Sequence, residues 1–530
     1  MSFHLSLPTI MSIFFSFTIL AFILVNFNKK RSSKGNNKQP PQAKGAWPII
    51  GHLHLLGGSQ LPHKVFSAMA DMYGPIFTIK LGVRLALIVS DSEMAKLCFT
   101  INDKDFADRP TTVASQIMGY NYAMIGFAPY GDYWRQLRKI ITLELLSQRR
   151  VEMLGHIRVS ELKASMNDIY KAWVKNEESE KSKMVKVEMK HWFGNLILNV
   201  LVRSISGKRF APNDEEGVRF QAAAKRFFEQ LGVFLVSDFI PIFKGLDIGG
   251  HEKAMKITAK EMDTFVEEWL KEHKKEKELG KKREGNQLVF MDVLISILED
   301  ASEEDFPGFD HDTIIKSSCL ALLRAGLHTT IVTLTWALSL LLNNPKSLKI
   351  VQDEIDEHVG RDRLVEESDI KNLVYLQAII KETMRLYPPG PLSVPHQSRE
   401  DCVVSGYNVP KGTRLFVNLW RIHRDPNVWS DPNEFQPERF LTSQKHVDIK
   451  GNHFELLPFG SGRRMCPGIY FALQSLHFTL ASLVQQFVVR KPSDEPIDMS
   501  ESFGLTNMKS TPLEVLLTPR LSPGMYHVDE

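Results

Sequence analysis

Phe459-Gly460-Ser461-Gly462-Arg463-Arg464-Met465-Cys466-Pro467-Gly468 sets a single cysteine among three glycines, two arginines and an aromatic, ahead of a long apolar stretch over residues 469–489. Glycine lets a backbone turn sharply and approach a flat ligand where a side chain would clash. Neighbouring arginines favour thiolate over thiol, and their planar forks hold anionic groups. A cysteine so placed is a candidate metal ligand; the alternative is a buried free thiol in a surface loop. The other cysteines, Cys98, Cys319 and Cys402, have no such setting. With no pairing spacing and no Cys-x-x-Cys, neither a disulfide framework nor a zinc site is expected.

Working outward, residues 313–342 read as one long helix, with Asp312 as its cap and Asn343-Asn344-Pro345 as its stop. Such a helix spans roughly 45 Å, enough to cross a whole domain. Its middle is Arg324-Ala325-Gly326-Leu327-His328-Thr329-Thr330. Downstream, Glu382-Thr383-Met384-Arg385 places an acid and an arginine on one helical face, just before a break at Pro388. Pro437-Glu438-Arg439-Phe440 adds another arginine, and Trp134-Arg135-Gln136-Leu137-Arg138 forms a further short constellation. A hairpin is expected over residues 76–89 with Gly82 in its turn. The charged run from Lys271 to Arg283 reads as a solvated helix end and loop. No internal repeat interrupts the remainder.

Composition sets the outer bounds. The 530 residues are 43% hydrophobic and 24% charged, ordinary for a large globular core. The formal charge of +3 hides an asymmetry: six basic side chains and no acid precede residue 46, leaving 59 basic against 62 acidic beyond. A basic collar on a mildly acidic body argues against nucleic acid as a partner. Residues 5–27 carry no charge. About 20 apolar residues cross a hydrocarbon core of about 30 Å. The collar follows at once, so the positive-inside rule puts the body in the cytosol. A cleavable signal peptide is the rival reading, disfavoured by the missing basic n-region and cleavage site. The expected division is an N-terminal signal-anchor transmembrane helix at 1–28, a basic collar and proline-containing hinge at 29–51, and a catalytic body at 52–530.

The cysteine loop resembles the haem-binding loop of the cytochrome P450 family, Phe-x-x-Gly-x-Arg-x-Cys-x-Gly, with every fixed position matched from Phe459 to Gly468. The other constellations resemble that family's motifs and follow its order. Gly45-Ala46-Trp47-Pro48-Ile49-Ile50-Gly51-His52, Phe127-Ala128-Pro129-Tyr130-Gly131 and Val359-Gly360-Arg361-Asp362-Arg363 look closest to plant microsomal enzymes of family 82. The resemblance implies a mainly helical prism with a small β-rich lobe, plus the N-terminal transmembrane helix.

It also implies roles. Cys466 would ligate the iron of haem b as thiolate, which favours O–O cleavage. Phe459 and Gly468 would shape the loop around it. Trp134, Arg138, Arg464 and His396 would meet the haem propionates, a plain loop histidine being the alternative for His396. Glu382, Arg385 and Arg439 would lock the core beneath the haem. Gly326 would open room for dioxygen, and Thr329 would hydrogen-bond it and help deliver protons. The chain departs from the family pattern at His328, where a carboxylate is usual, and a proton relay by imidazole is expected there. Arg324 replaces a commonly apolar residue.

The implied activity is oxygenation of a small hydrophobic or aromatic plant metabolite (alkaloid, phenolic, coumarin, flavonoid, lignan or terpenoid). It would use O2 and electrons from NADPH-cytochrome P450 reductase, its anchor in the lipid bilayer of the endoplasmic reticulum and its catalytic domain in the cytosol. Substrate contacts are expected from residues 115–124, 228–236, 323–327, 392–394 and 503–506, and a reductase contact from Arg135, Lys139 and Arg463. Two rivals remain: a haem-thiolate isomerase or dehydratase needing no reductase, and a non-catalytic membrane scaffold.

Overall fold

Edge pairing begins almost where the described chain does. The computed structural model describes residues 38–57, 60–178, 183–210, 214–233, 235–281 and 285–526. The membrane segment expected at 1–28, and the collar as far as residue 37, lie outside them. The sequence reading makes 29–51 a spacer, but from Lys38 onward it is docked on the body. Thr78 N donates to Pro41 O at 2.8 Å, and Ala43 N donates to Thr78 O at 2.9 Å. Proline lacks a donor but keeps its carbonyl, so a proline-rich segment can still pair along a strand edge.

The main elements follow in chain order. Helix α1 (Pro62–Tyr73) leads into strands β1 (Ile76–Leu81) and β2 (Arg84–Val89), then α2 (Ser92–Phe99) and α3 (Asp132–Ile140). Next come α4 (Gly155–Glu178), β3 (Val185–Glu188), α5 (Met189–Ser206), α6 (Glu215–Leu231), α7 (His251–Glu278) and α8 (Phe290–Glu299). After these lie α9 (His311–Asn343), α10 (Pro345–His358) and α11 (Val374–Leu386). Short strands β4 (His396–Gln397), β5 (Cys402–Val404), β6 (Tyr407–Val409) and β7 (Arg414–Val417) precede α12 (Ile469–Gln486), β8 (Phe487–Arg490) and β9 (Glu514–Pro519).

The expected hairpin is the start of a sheet ordered β1-β2-β7-β4. Antiparallel β1 and β2 pair from Ile76 with Val89 to Leu81 with Arg84. Gly82 turns the chain at φ +60°, and a Cβ there would lie 2.3 Å from Phe239 O. Strand β7 joins β2 in parallel, bringing residues some 330 positions apart into register. A second sheet, β3-β9-β8, ties the C-terminal strands to the start of α5.

Helix α9 runs 33 residues, about 50 Å, through the body. Its cap is Asp310, whose side chain accepts from Thr313 N at 2.9 Å, not Asp312 as expected. Asp312 sits in the first turn and pairs with Lys274 at 2.5 Å. Pro345 ends the helix by opening the next. This helix is long and apolar enough to cross a membrane, yet 78% of its apolar window is buried within the body. It is a core helix, packed on α5, α11 and α12. The charged run after Lys271 is the expected exposed helix end and loop as far as residue 281, with two tethers: His273 is buried against Asp292, and Lys277 pairs with Glu299.

Candidate active site

Sharp turns in the cysteine loop are made by Gly460 and Gly462, at φ +70° and +68°. A Cβ on Gly462 would stand 2.8 Å from Phe99 O, so only glycine fits. Cys466 N donates to Phe459 O at 2.9 Å and closes the turn; Gly468 caps α12. The loop arginines do not act on the thiol, contrary to the sequence reading. Arg463 pairs with Asp103 at 2.9 Å, while Arg464 donates to Ala107 O at 2.7 Å and Ala128 O at 2.6 Å. The cation beside Cys466 is Arg138, which donates to Met465 O at 2.6 Å. Burial pushes the Cys466 thiol up; the Gly468 N–H and Arg138 pull it back. A metal ion outweighs both, since a coordinating thiol is deprotonated outright.

Around this loop the structure gathers cations. Arg464 lies 4.4 Å over the Trp134 ring, and Arg138 stands 6.0 Å from it. Burial and the neighbouring Arg138 bring Arg464 down to about 10, with Asp108 the carboxylate opposing the fall. Arg109, unremarked in the sequence, joins them: it donates to the carbonyls of Val394 and Pro395 at 2.8 Å, and its Nε has no partner. Burial and Arg464 hold it well below its ordinary value. His396 donates through Nδ1 to Phe106 O at 2.8 Å and is kept neutral by burial and by Arg109. The buried Trp134 Nε1 has no acceptor. Three mutually repelling guanidiniums, a bare indole donor and one carboxylate form a cradle whose complement is a group with more than one negative charge. Haem, with two propionates and an iron for Cys466, fits it.

Residues 125–128 connect this cradle to the middle of α9. Arg464 holds them from the cysteine side, donating also to Ile125 O. From the other side Arg324 lies 4.6 Å over the Phe127 ring. Here Ala325 is exposed and Arg324, Gly326, His328 and Thr329 are half-buried, so this stretch of the helix forms one wall of an open chamber. Thr329 Oγ1 donates to Ala325 O at 2.6 Å, leaving its lone pairs free. The space at Gly326 is filled by Leu201 of α5: a Cβ would lie 2.9 Å from its Cδ2. Its missing side chain lets α5 pack closely against α9.

His328 stacks on Phe228 of α6, with centroids 3.5 Å apart and planes inclined by 11°. Burial, then Lys190 and Arg324, lower it to about 4. It is therefore neutral near pH 7, which removes the ground for a relay that gains and loses a proton there.

The acid–arginine network lies elsewhere and reaches the loop indirectly. Arg385 donates to both oxygens of Glu382 at 2.7 and 2.8 Å, and Arg439 Nε donates to Glu382 at 3.2 Å; all three side chains are buried. Arg385 also donates to His423 O at 2.8 Å, and His423 Nε2 accepts from Leu457 N at 2.9 Å, two residues before Phe459. His423 carried no signal in the sequence, because its role depends on contacts 34 and 38 residues away.

Residues 40–517 match the family model of cytochrome P450. The chain belongs to the cytochrome P450 family. This P450 is 51% identical over 515 residues to strychnine-10-hydroxylase of Strychnos nux-vomica, covering 96% of this chain and 97% of the relative. It is 50% identical over 518 residues to xanthotoxin 5-hydroxylase CYP82C4 of Arabidopsis thaliana, covering 96% and 98%, which places it beside plant members of family 82. A solved zebra fish cytochrome P450 with progesterone superposes with a TM-score of 0.71 at 26% identity, over 87% of this chain and 100% of the other. The P450 fold, mainly helical with small sheets, and haem-thiolate monooxygenase activity follow, with a redox partner, O2 and a small substrate as the reaction's other parties.

Proposed function

We propose that this P450 is a membrane-anchored plant hydroxylase of specialised metabolites, with Cys466 as the iron ligand and residues 1–28 as its anchor in the endoplasmic reticulum. The observation that carries the site is the cation cradle of Arg109, Arg138 and Arg464, only partly neutralised by Asp108, around a cysteine in a glycine-shaped loop. Haem, when bound, supplies the oxidation, placing one atom of O2 in the substrate. The rest falls to this chain. Trp134, Arg138, Arg464 and Arg109 hold the propionates, and His396 joins them once an adjacent anion raises its proton affinity. Phe459 and Gly468 shape the backbone next to Cys466. Thr329 keeps a hydroxyl at the chamber wall, ready to turn from Ala325 O and donate a proton.

Electrons come from NADPH-cytochrome P450 reductase on the same membrane. Arg135 already pairs with Asp132 and Arg463 with Asp103, so the exposed Lys139 is the freer cation for that contact. The substrate is an aromatic or hydrophobic compound of the kind that strychnine and xanthotoxin represent for the relatives, met by Phe127, Phe228 and the segment at 503–506. The deciding experiment is turnover in microsomes with and without reductase. Product formation must require NADPH and reductase; NADPH-independent rearrangement would install the isomerase reading, and no turnover of a broad metabolite panel would favour the scaffold. Removing residues 1–37 should release the protein from membranes in high salt with haem still bound, and loss of haem on that truncation would refute the boundary.

A further inference from the structure

Arg324 is the charged group that nothing yet described uses. It sits in the middle of α9, half-buried beside exposed Ala325 and one turn before His328, at the edge of the open stretch that Ala325 and Thr329 line. Its guanidinium lies over the Phe127 ring, and a Cβ on Gly126 would stand 3.3 Å from Nη2. Its Nε is buried without a partner, and among the described residues no carboxylate forms an ion pair with it. An arginine usually escapes such a position by extending to water; here the guanidinium lies against residues 126–127, with Nε fully buried and the residue as a whole half-buried. A cation–π contact returns only part of what it costs to bury a guanidinium. Burial alone brings Arg324 down to about 10, with no acid opposing it and no cradle arginine contributing. The cradle arginine Arg464 holds the same segment from its other side, through Ile125 O and Ala128 O.

The neighbours sharpen the point. His328, one turn along, is uncharged and has a buried Nδ1 without a partner. The other charge acting on that histidine is Lys190, also a cation. Among the described residues the charged groups acting at this wall are thus cations, beside a neutral imidazole, and the apolar part is aromatic. The geometry points to Arg324 as the recognition residue for a carboxylate on an aromatic substrate, the fork of the guanidinium meeting the two carboxylate oxygens. This rests on reading the Thr329 chamber as the substrate site.

The test uses the full-length, haem-loaded protein and matched pairs of probes: cinnamic, 4-phenylbutyric and naphthylacetic acids, each with its methyl ester. Binding is read from the substrate-induced shift of the haem spectrum. The acids should bind wild type at least tenfold tighter than their esters, the usual worth of charge-assisted hydrogen bonds in a site away from water. Arg324→Met should abolish the preference while the thiolate-type carbon monoxide band persists; Arg324→Lys should keep part of it. His328→Glu, whose carboxylate would reach Arg324 from one turn away, should also abolish it. Esters that bind wild type as tightly as acids, an acid preference that survives Arg324→Met, or no shift from any acid would each overturn the proposal. The hydroxylase reading is judged separately, by reductase-dependent oxidation of neutral probes in the wild-type protein.

Discussion

Cys466 differs from the other three cysteines in what burial does to each. Cys98, Cys319 and Cys402 are buried with no cation acting on them; burial pushes Cys319 up to about 12 and Cys402 to about 11, and such thiols are inert. Only Cys466 has Arg138 and a backbone N–H favouring its thiolate. Cys466→Ala should therefore remove the thiolate-type carbon monoxide band and all turnover, while Ala at Cys98, Cys319 or Cys402 leaves the band in place. Loss of the band in one of those three with the fold intact would contradict the assignment. At His328 the lowered value sets the sign: a histidine held at about 4 loses its charge above that pH and stays neutral through the physiological range. The ratio of product to NADPH consumed should accordingly be flat between about pH 6 and 8, where an ordinary histidine titrates. His328→Phe preserves the stack on Phe228 and should keep coupling within about twofold. Peroxide release rising tenfold in that variant would restore the relay.

At the scale of elements, α11 governs the cysteine loop from a distance. Its Glu382–Arg385 pair orders His423, and His423 receives the N–H of Leu457 as the chain enters the loop. Removing that acceptor leaves a buried donor unsatisfied, a loss of about 1–3 kcal/mol. His423→Leu should still fold but lower the fraction of carbon monoxide complex that absorbs at the thiolate position. Arg385→Met leaves the Glu382 carboxylate buried beside Arg439 alone, a change that typically costs about 3–5 kcal/mol, and should bind no haem. The two variants are compared by carbon monoxide spectrum and thermal melting. Equal loss of both properties in His423→Leu would mean the histidine supports the fold in general, not the loop. The Glu-x-x-Arg pair was legible in the sequence through its spacing; His423 was not, since a lone histidine between α11 and the loop has no periodicity to betray it.

Across the whole molecule, the C-terminal segment is pinned to the first helix. Glu501 accepts from His63 Nε2 at 3.0 Å and pairs with Lys64 at 2.7 Å, with only 5% of its side chain exposed. These partners hold its carboxyl at about 2, against an ordinary 4.5. A depressed carboxylate stabilises the fold above its unfolded value and loses that contribution as pH falls towards the folded one. The stabilisation is roughly 3 kcal/mol near neutrality, fading from about pH 5 to 2. Glu501→Gln should lower the melting temperature at pH 7 and converge with wild type near pH 2 to 3. A constant gap across that range would show that packing, not charge, links the two ends.

The sequence by itself determined which chemistry the chain carries. Cys466 with its glycines, the Trp134–Arg138 spacing, the Glu382–Arg385 pair and the long apolar run of α9 are local patterns. Their physical causes (backbone freedom, helical periodicity, capping) act within a few residues. What tertiary structure alone decided are the pairings that local pattern cannot encode. Arg138 rather than Arg463 or Arg464 faces the thiol, because backbone carbonyls of 107, 125 and 128 and the Asp103 carboxylate claim the loop arginines first. Arg109 completes the cradle, Leu201 fills the gap at Gly326, and Phe228 takes the face of His328. Burial, which no local pattern measures, sets the charge on His328, and among the described residues no carboxylate pairs with Arg324.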